Sequence, residues 1–251
     1  MARRRFFVEE IRHGQAEVAG DQAHHLRNVL RVEVGQRYEI ASDGRVCLAE
    51  VTLSGKSRVA FRVIEELPPN LPPVRLHLRV ALIKFDRLEM MVEKATELGV
   101  ERISPFAAAR GGKGLDRAAP KRMERWRKVV LEASQQSRRA RLPEIEPPAG
   151  AKQAMLANAG RGFLLDEMAR MPLLAALPEP CQRSSDDLVT VLAGPEGGWT
   201  DNERGMAIEQ GWLPVSLGPQ ILRAETAVIA ALAQLTGAWL VNPVSRPAIP
   251  A

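Results

Sequence analysis

Two short segments in the C-terminal half carry residues whose types and spacing could do chemistry. The first is Gly194-Pro195-Glu196-Gly197-Gly198-Trp199-Thr200. Three glycines in five residues let the backbone approach a flat ligand closely and expose its N–H and C=O groups. The segment follows the apolar run 188–193, and the end of such a strand is where open α/β sheets place ligands. Thr200 and Glu203 have capping-box spacing, so a helix is expected to start there. The plain alternative is a tight turn that only caps this helix. The segment is neither a dinucleotide fingerprint nor a P-loop, since it has no G-x-G-x-x-G and no G-K-[ST]. The second segment, Leu217-Gly218-Pro219-Gln220-Ile221-Leu222-Arg223-Ala224-Glu225-Thr226-Ala227, also follows a strand and opens a helix. Glu225 suits the start of a helix and Arg223 does not. An unfavourable cation there suggests use, such as gripping a phosphate or a base edge. The bland reading is a salt bridge, either between Arg223 and Glu225 or between the loops.

The elements that would position these loops read as α/β. Residues 76–83 form an apolar strand, and Phe85, Leu88, Met91, Val92, Ala95 and Leu98 share one helical face that Gly99 terminates. Further strands are expected over 103–106, 163–166, 188–193 and 213–217, with helices over 121–137, from Asp201 and over 224–235. Strands alternating with helices imply a largely parallel sheet covered on both faces. Residues 1–67 differ. Short strands over 6–8, 37–40, 46–53 and 58–64 alternate with turn signals around one helix over 21–30, where Asp21 is placed to cap. This suits a small barrel or sandwich. Between the halves, Pro68-Pro69-Asn70-Leu71-Pro72-Pro73 blocks both helix and central strand. The expected domains are therefore residues 1–70 and 74–251.

Composition narrows the class. Of the 251 residues, 45% are hydrophobic and 26% charged, as in a globular protein. No apolar run is long enough for a membrane span, and the basic start lacks an apolar signal core. Cys47 and Cys181 make no disulfide framework, which fits a reducing cytoplasm. Four scattered histidines and two cysteines have no metal-ligand spacing, so no metal is expected. Residues 73–150 hold 17 Lys/Arg against 10 Asp/Glu, whereas residues 151–251 hold 7 against 10. A basic segment beside a mildly acidic one suggests an anionic partner such as nucleic acid; a basic solvated surface is the alternative.

The segments RRRFF at 3–7, HHLRNVLR at 24–31, KFDRLEMMVEKATELGVERISPF at 84–106, EASQQSRRARLPEI at 132–145, GPEGGWTDNE at 194–203 and LGPQILRAETA at 217–227 run nearly end to end. With them the chain resembles the bacterial 16S rRNA uridine N3-methyltransferase family of the knotted SPOUT class. The resemblance implies an α/β fold: a C-terminal SPOUT-type domain with a deep trefoil knot and a smaller N-terminal PUA-like β-barrel. It implies a homodimer that uses S-adenosylmethionine to methylate N3 of one uridine in the small ribosomal subunit. Cofactor binding would fall on Gly194, Glu196, Gly197, Gly198, Leu217, Gly218, Leu222 and Arg223. RNA contact would fall on Arg3, Arg4, Arg5, His25, Arg27 and Arg31, and on Lys84, Arg87, Lys94 and Arg110. Arg223 would stabilise the anion that develops on the uracil, with Glu225 and Glu196 as neighbouring carboxylates. The chain departs from the family pattern at Ala109, usually glutamate, and at Gln135-Gln136-Ser137-Arg138-Arg139, usually Glu-Gln-x-Gly-Arg. The lost carboxylates would make the surface more basic. Two alternatives stay open: a knotted ribose 2′-O-methyltransferase, and a non-catalytic RNA-binding or ribosome-assembly factor.

Overall fold

In the first half, short strands separated by tight turns are forced into hairpins by local backbone chemistry. The computed structural model describes residues 4–156 and 160–241. The chain divides into two compact units, Met1–Leu71 with Leu131–Leu142, and Pro72–Val130 with Pro143–Ala251.

The first unit contains β1 (Arg5–Phe7), β2 (Ile11–Arg12), β3 (Gln15–Ala19), α1 (Gly20–Asn28), β4 (Arg37–Ser42), β5 (Arg45–Ser54) and β6 (Arg58–Leu67). Its sheet runs β1-β4-β5-β6-β3-β2, with β1 parallel to β4 and the other pairs antiparallel. Asp43 and Gly44 both take positive φ, 45° and 87°, as a two-residue hairpin turn requires. They join β4 to β5 with Ser42 opposite Arg45. His13 and Gly14 do the same for β2 and β3, a hairpin too short for its alternation to register in the sequence. The strand path ends at β1 and β2 without closing, so the barrel takes the form of a half-barrel. Its core gathers Phe6, Leu26, Ile40, Val51 and Phe61. The N-cap of α1 is Ala19, and Asp21 lies in the first turn without a capping bond; it acts only through helix-end charge.

Residues 131–142, read from sequence as part of the second domain, fall with this first unit. Ala140 packs with Phe7, Ala41 and Val46. Arg138 adopts φ 56°, a left-handed conformation uncommon for a side-chain-bearing residue. Its guanidinium donates to Glu39, and its carbonyl oxygen accepts from Arg5 Nη1. Arg5 itself donates to Glu39 Oε2 through Nε at 3.0 Å and Nη2 at 2.7 Å. The extra arginine at 138 is therefore paired with a carboxylate of its own unit.

The second unit holds β7 (Arg75–Ala81), α2 (Phe85–Glu97), β8 (Val100–Ala107), α3 (Leu115–Ala118), the start of α4 (Met123–Gln136), β9 (Glu144–Ile145), β10 (Ala149–Gly150), α5 (Ala151–Met155), β11 (Arg161–Leu165), β12 (Leu188–Ala193), α6 (Asp201–Glu209), β13 (Leu213–Val215) and α7 (Ala224–Leu240). The sheet order is β10-β8-β7-β12-β11-β13, with β9 on β8; every pairing is parallel. Alternate residues of one strand feed two cores. Val189, Val191 and Ala193 join Leu88, Trp126 and Leu232, whereas Leu192 joins Met155, Ala207 and Trp212. Burial on both faces is what makes these strands read as continuous apolar runs. No helix among the described residues is long and apolar enough to cross a membrane.

Candidate functional site

β11 lies between β12 and β13, all three parallel. Their carboxyl ends therefore open side by side, and the segments leaving them enclose a cavity of about 270 Å³. Asp166 and Glu167 line it after β11, residues 194–199 after β12, and Ser216, Leu217, Gly218, Gln220, Ile221 and Leu222 after β13; Ala224 and Ala227 of α7 complete it. Among the described residues the lining includes three carboxylates and no lysine or arginine. Gly194, Glu196, Gly197, Gly198, Leu217, Gly218 and Leu222, singled out from sequence, all belong to this wall. Asp166 and Glu167 were missed, although they too follow an apolar strand at its ligand-bearing end.

Packing explains Gly194 and Gly197, and positive φ values of 68° and 144° explain Gly198 and Gly218. A Cβ on Gly194 would lie 2.8 Å from Trp199 Cε2. Trp199 cannot yield: it is 2% exposed, stacks on Phe106 with ring centroids 6.1 Å apart, and donates Nε1 to the Leu165 carbonyl at 2.8 Å. A Cβ on Gly197 would meet Arg110 Cβ at 3.0 Å, and one on Gly198 would meet Glu167 Oε1 at 2.8 Å.

The loop is also tied from outside the sheet. The capping box is formed. Thr200 Oγ1 accepts from Glu203 N at 3.2 Å, and Glu203 Oε2 accepts from Thr200 N at 3.1 Å. Glu203 Oε1 accepts from the backbone N–H of Ala109 at 2.8 Å, so one buried carboxylate joins two loops. We expect Glu203→Ala to cost about 2 kcal/mol, the upper range for a lost cap, because the Ala109 N–H is orphaned as well. Chemical denaturation checks this; an unchanged midpoint would contradict it, and Glu203→Gln should cost less.

Three cations assigned to RNA contact have other engagements. Arg110 donates Nη1 to the carbonyls of Gly197 and Trp199, both at 3.2 Å, and braces the loop. Arg87 lies 3.2 Å from Glu196 Oε1 and 4.0 Å from Glu225 Oε1, joining the two glycine-marked segments. Lys94 lies between Glu93 at 2.7 Å and Glu97 at 2.8 Å, whose hydrogen bonds push its pKa up to about 12. Arg5 is corrected in the same way: at 4% exposure and bound to Glu39, it is a structural residue. Arg4, His25, Arg31 and Lys84 are exposed, and Arg27 is half-buried; Arg3 lies outside the described residues.

Arg223 occupies the N-cap position of α7, exposed and without a capping bond. Neither Arg223 nor Glu225 lines the cavity, and they form no ion pair with each other among the described residues. Glu225 turns towards Arg87 instead. It is 6% exposed, and its Oε2 has no hydrogen-bond partner among the described residues. Such a buried, unsatisfied acceptor is costly unless a ligand or donor completes it. Asp166 is held by Arg204, Nε at 2.6 Å and Nη2 at 3.2 Å, whereas Glu167 has no such partner among the described residues. No group of three His, Cys, Asp or Glu side chains that could hold a metal occurs among the described residues.

Known proteins place this arrangement in a class. Residues 70–236 match the RNA methyltransferase domain family, and residues 18–64 match the RNA methyltransferase PUA domain family. The ribosomal RNA small subunit methyltransferase E of Synechocystis is 33% identical over 234 residues, covering 90% of this chain and 74% of that protein. Two solved structures share the fold over 95% of this chain and 98% of theirs. One is the Neisseria gonorrhoeae ribosomal RNA small subunit methyltransferase E bound to S-adenosyl methionine, at TM-score 0.85 and 28% identity. The other is a Legionella pneumophila putative methyltransferase in complex with the bound cofactor SAM, at TM-score 0.84 and 30% identity. The half-barrel and the parallel α/β unit are thus the two parts of an RNA methyltransferase. The chain belongs to the ribosomal RNA small subunit methyltransferase E family, within the SPOUT class.

Proposed function

We propose that this protein transfers a methyl group from S-adenosylmethionine to N3 of one uridine in 16S rRNA of the small ribosomal subunit, as a cytoplasmic homodimer that needs no metal. The observation that carries this is the cavity at the ends of β11, β12 and β13. Its carboxylates and bare glycine backbone suit a ligand that is positively charged and partly flat, and it has no cation to hold a phosphate. The deep knot and the boundary near residues 68–73 belong to the same reading.

When bound, the cofactor supplies the electrophilic methyl group. The wall formed by residues 194–198 and 217–222 binds and orients it. Uridine N3 carries a proton at neutral pH, so the chain must help remove it or stabilise the anion left behind. Arg223, exposed and unpartnered among the described residues at the head of α7, is assigned to the developing charge on a uracil carbonyl oxygen. A guanidinium donates hydrogen bonds and accepts none, so Arg223 is not the base. Glu225 offers Oε2 as an acceptor, and Arg87 holds it in place. We expect Arg223→Ala to lower turnover roughly a hundredfold or more while calorimetry shows cofactor binding retained; near-normal turnover would sink the role. The whole reading is tested by methyl transfer from labelled cofactor to small subunits lacking base methylation, followed by nucleoside mass analysis. A 3-methyluridine product at one site is expected. A ribose-methylated product would favour the 2′-O reading, and cofactor binding without product would favour a non-catalytic factor.

A further inference from the structure

We infer that the first unit holds one unpaired RNA nucleotide by the edge of its base, in a pocket separate from the methyl-transfer cavity. The inference rests on the RNA-methyltransferase reading for its ligand class. A cavity of about 320 Å³ opens wholly within this unit, at the lower end of the roughly 300–1,000 Å³ typical of ligand pockets. Phe6 and Leu30 give it an apolar floor. Arg5 and Arg138 also border it, where the two guanidiniums share the single carboxylate of Glu39. Arg4, His25, Glu132, Gln135 and Gln136 form the rest of the wall. None of these five side chains has a hydrogen-bond or ion-pair partner among the described residues. Glu132, Gln135 and Gln136 lie three and four apart in the last turns of α4, on neighbouring positions of one face.

This donor and acceptor set selects what enters. The wall does hold cations and amide N–H donors, but a phosphate seated in it would face the Glu132 carboxylate, which repels an anion. A carboxylate and two amide oxygens are acceptors that a phosphate cannot use. A base edge presents donors and acceptors together, and a glutamine amide answers both. The base must be unpaired, because in an A-form duplex pairing occupies its Watson–Crick edge and the deep, narrow major groove hides its Hoogsteen edge. Arg4 at the rim is then left for the flanking phosphate. The pocket would choose where the enzyme docks by sequence, separately from the methylated uridine.

The test uses the full-length protein and labelled single-stranded homo-oligonucleotides of A, C, G and U, with binding followed by fluorescence anisotropy across a salt series. The wild type is expected to prefer one base over another by about fivefold to a hundredfold. In the double variant Gln135→Ala/Gln136→Ala that preference collapses while the salt slope stays. Arg4→Gln does the opposite, lowering the slope by about one phosphate contact and keeping the preference. Cofactor affinity and thermal melting report that the variants are folded. Equal affinity of the wild type for all four oligomers, binding to none of them, or a preference that survives the double variant would each overturn the inference. Loss of methyl transfer by the wild type with base preference intact would count against the reaction proposed above and leave the pocket standing.

Discussion

Glu39→Ala should lower the stability of the first unit by about 3–5 kcal/mol, the range for breaking a buried ion pair from one side. Glu39 is 5% exposed and Arg5 4%, so removing the carboxylate strands a guanidinium that cannot reach water. It also releases the Arg138 side chain, leaving that residue's left-handed backbone with the Arg5 bond to its carbonyl. Arg138→Ala should cost far less, because its side chain is 44% exposed and the Arg5–Glu39 pair survives without it. Hydrogen exchange in β1 and β4 checks the ranking. Equal protection in Glu39→Ala and the wild type would contradict it. The double replacement Arg5→Met/Glu39→Leu should recover much of the loss, since apolar residues of similar size often do as well as a buried pair.

The second large effect is expected at Gly194. Gly194→Val puts its first carbon within 2.8 Å of a Trp199 ring that stacking and a hydrogen bond hold in place. Overpacking of this kind costs about 1–3 kcal/mol, and here the strain is relieved most easily by pushing the loop into the cavity. Cofactor affinity measured by calorimetry should fall about tenfold to a hundredfold, with a smaller change in melting. Gly205→Ala is the control. A Cβ there meets nothing within 4 Å, and a helical glycine exchanged for alanine gains up to about 1 kcal/mol. Unchanged affinity in Gly194→Val would show that the loop is free to move, contrary to its packing.

What could be read in advance was local. The Thr200–Glu203 box needs only four residues, so its spacing announces it. The strand before it reads clearly because both of its faces are buried, and the two glycine-marked loops follow from strand ends. Asp166 and Glu167 carried the same positional signal after β11 but no glycine to draw attention. Relations between distant residues were not legible. Arg5 and Glu39 are 34 residues apart, and Glu39 and Arg138 are 99 apart. As text, Arg4 and Arg5 are equivalent; only folding sends one to the surface and the other to a carboxylate. The same holds for Arg87 and Arg110, whose acidic or carbonyl partners lie 87 or more residues away, whereas Lys94 meets Glu97 at an i,i+3 spacing that the sequence shows. Arg138 is the sharpest case. Its place in the family usually holds glycine, and the structure shows the positive φ that glycine would serve. It also shows what fixes a bulkier residue there.

The composition of the first unit also bears on how the chain is made. Synthesis runs from the N-terminus, so β1 to β6 leave the ribosome long before Ala140 and Arg138 exist. Until then Glu39 has one arginine instead of two, and the face formed by Phe7, Ala41 and Val46 is uncovered. The nascent half-barrel must wait through the first strands and helices of the second unit before its last pieces arrive. A fragment cut at the proline run is therefore an unfinished body rather than an independent one, and maturation of the two units is interleaved in time.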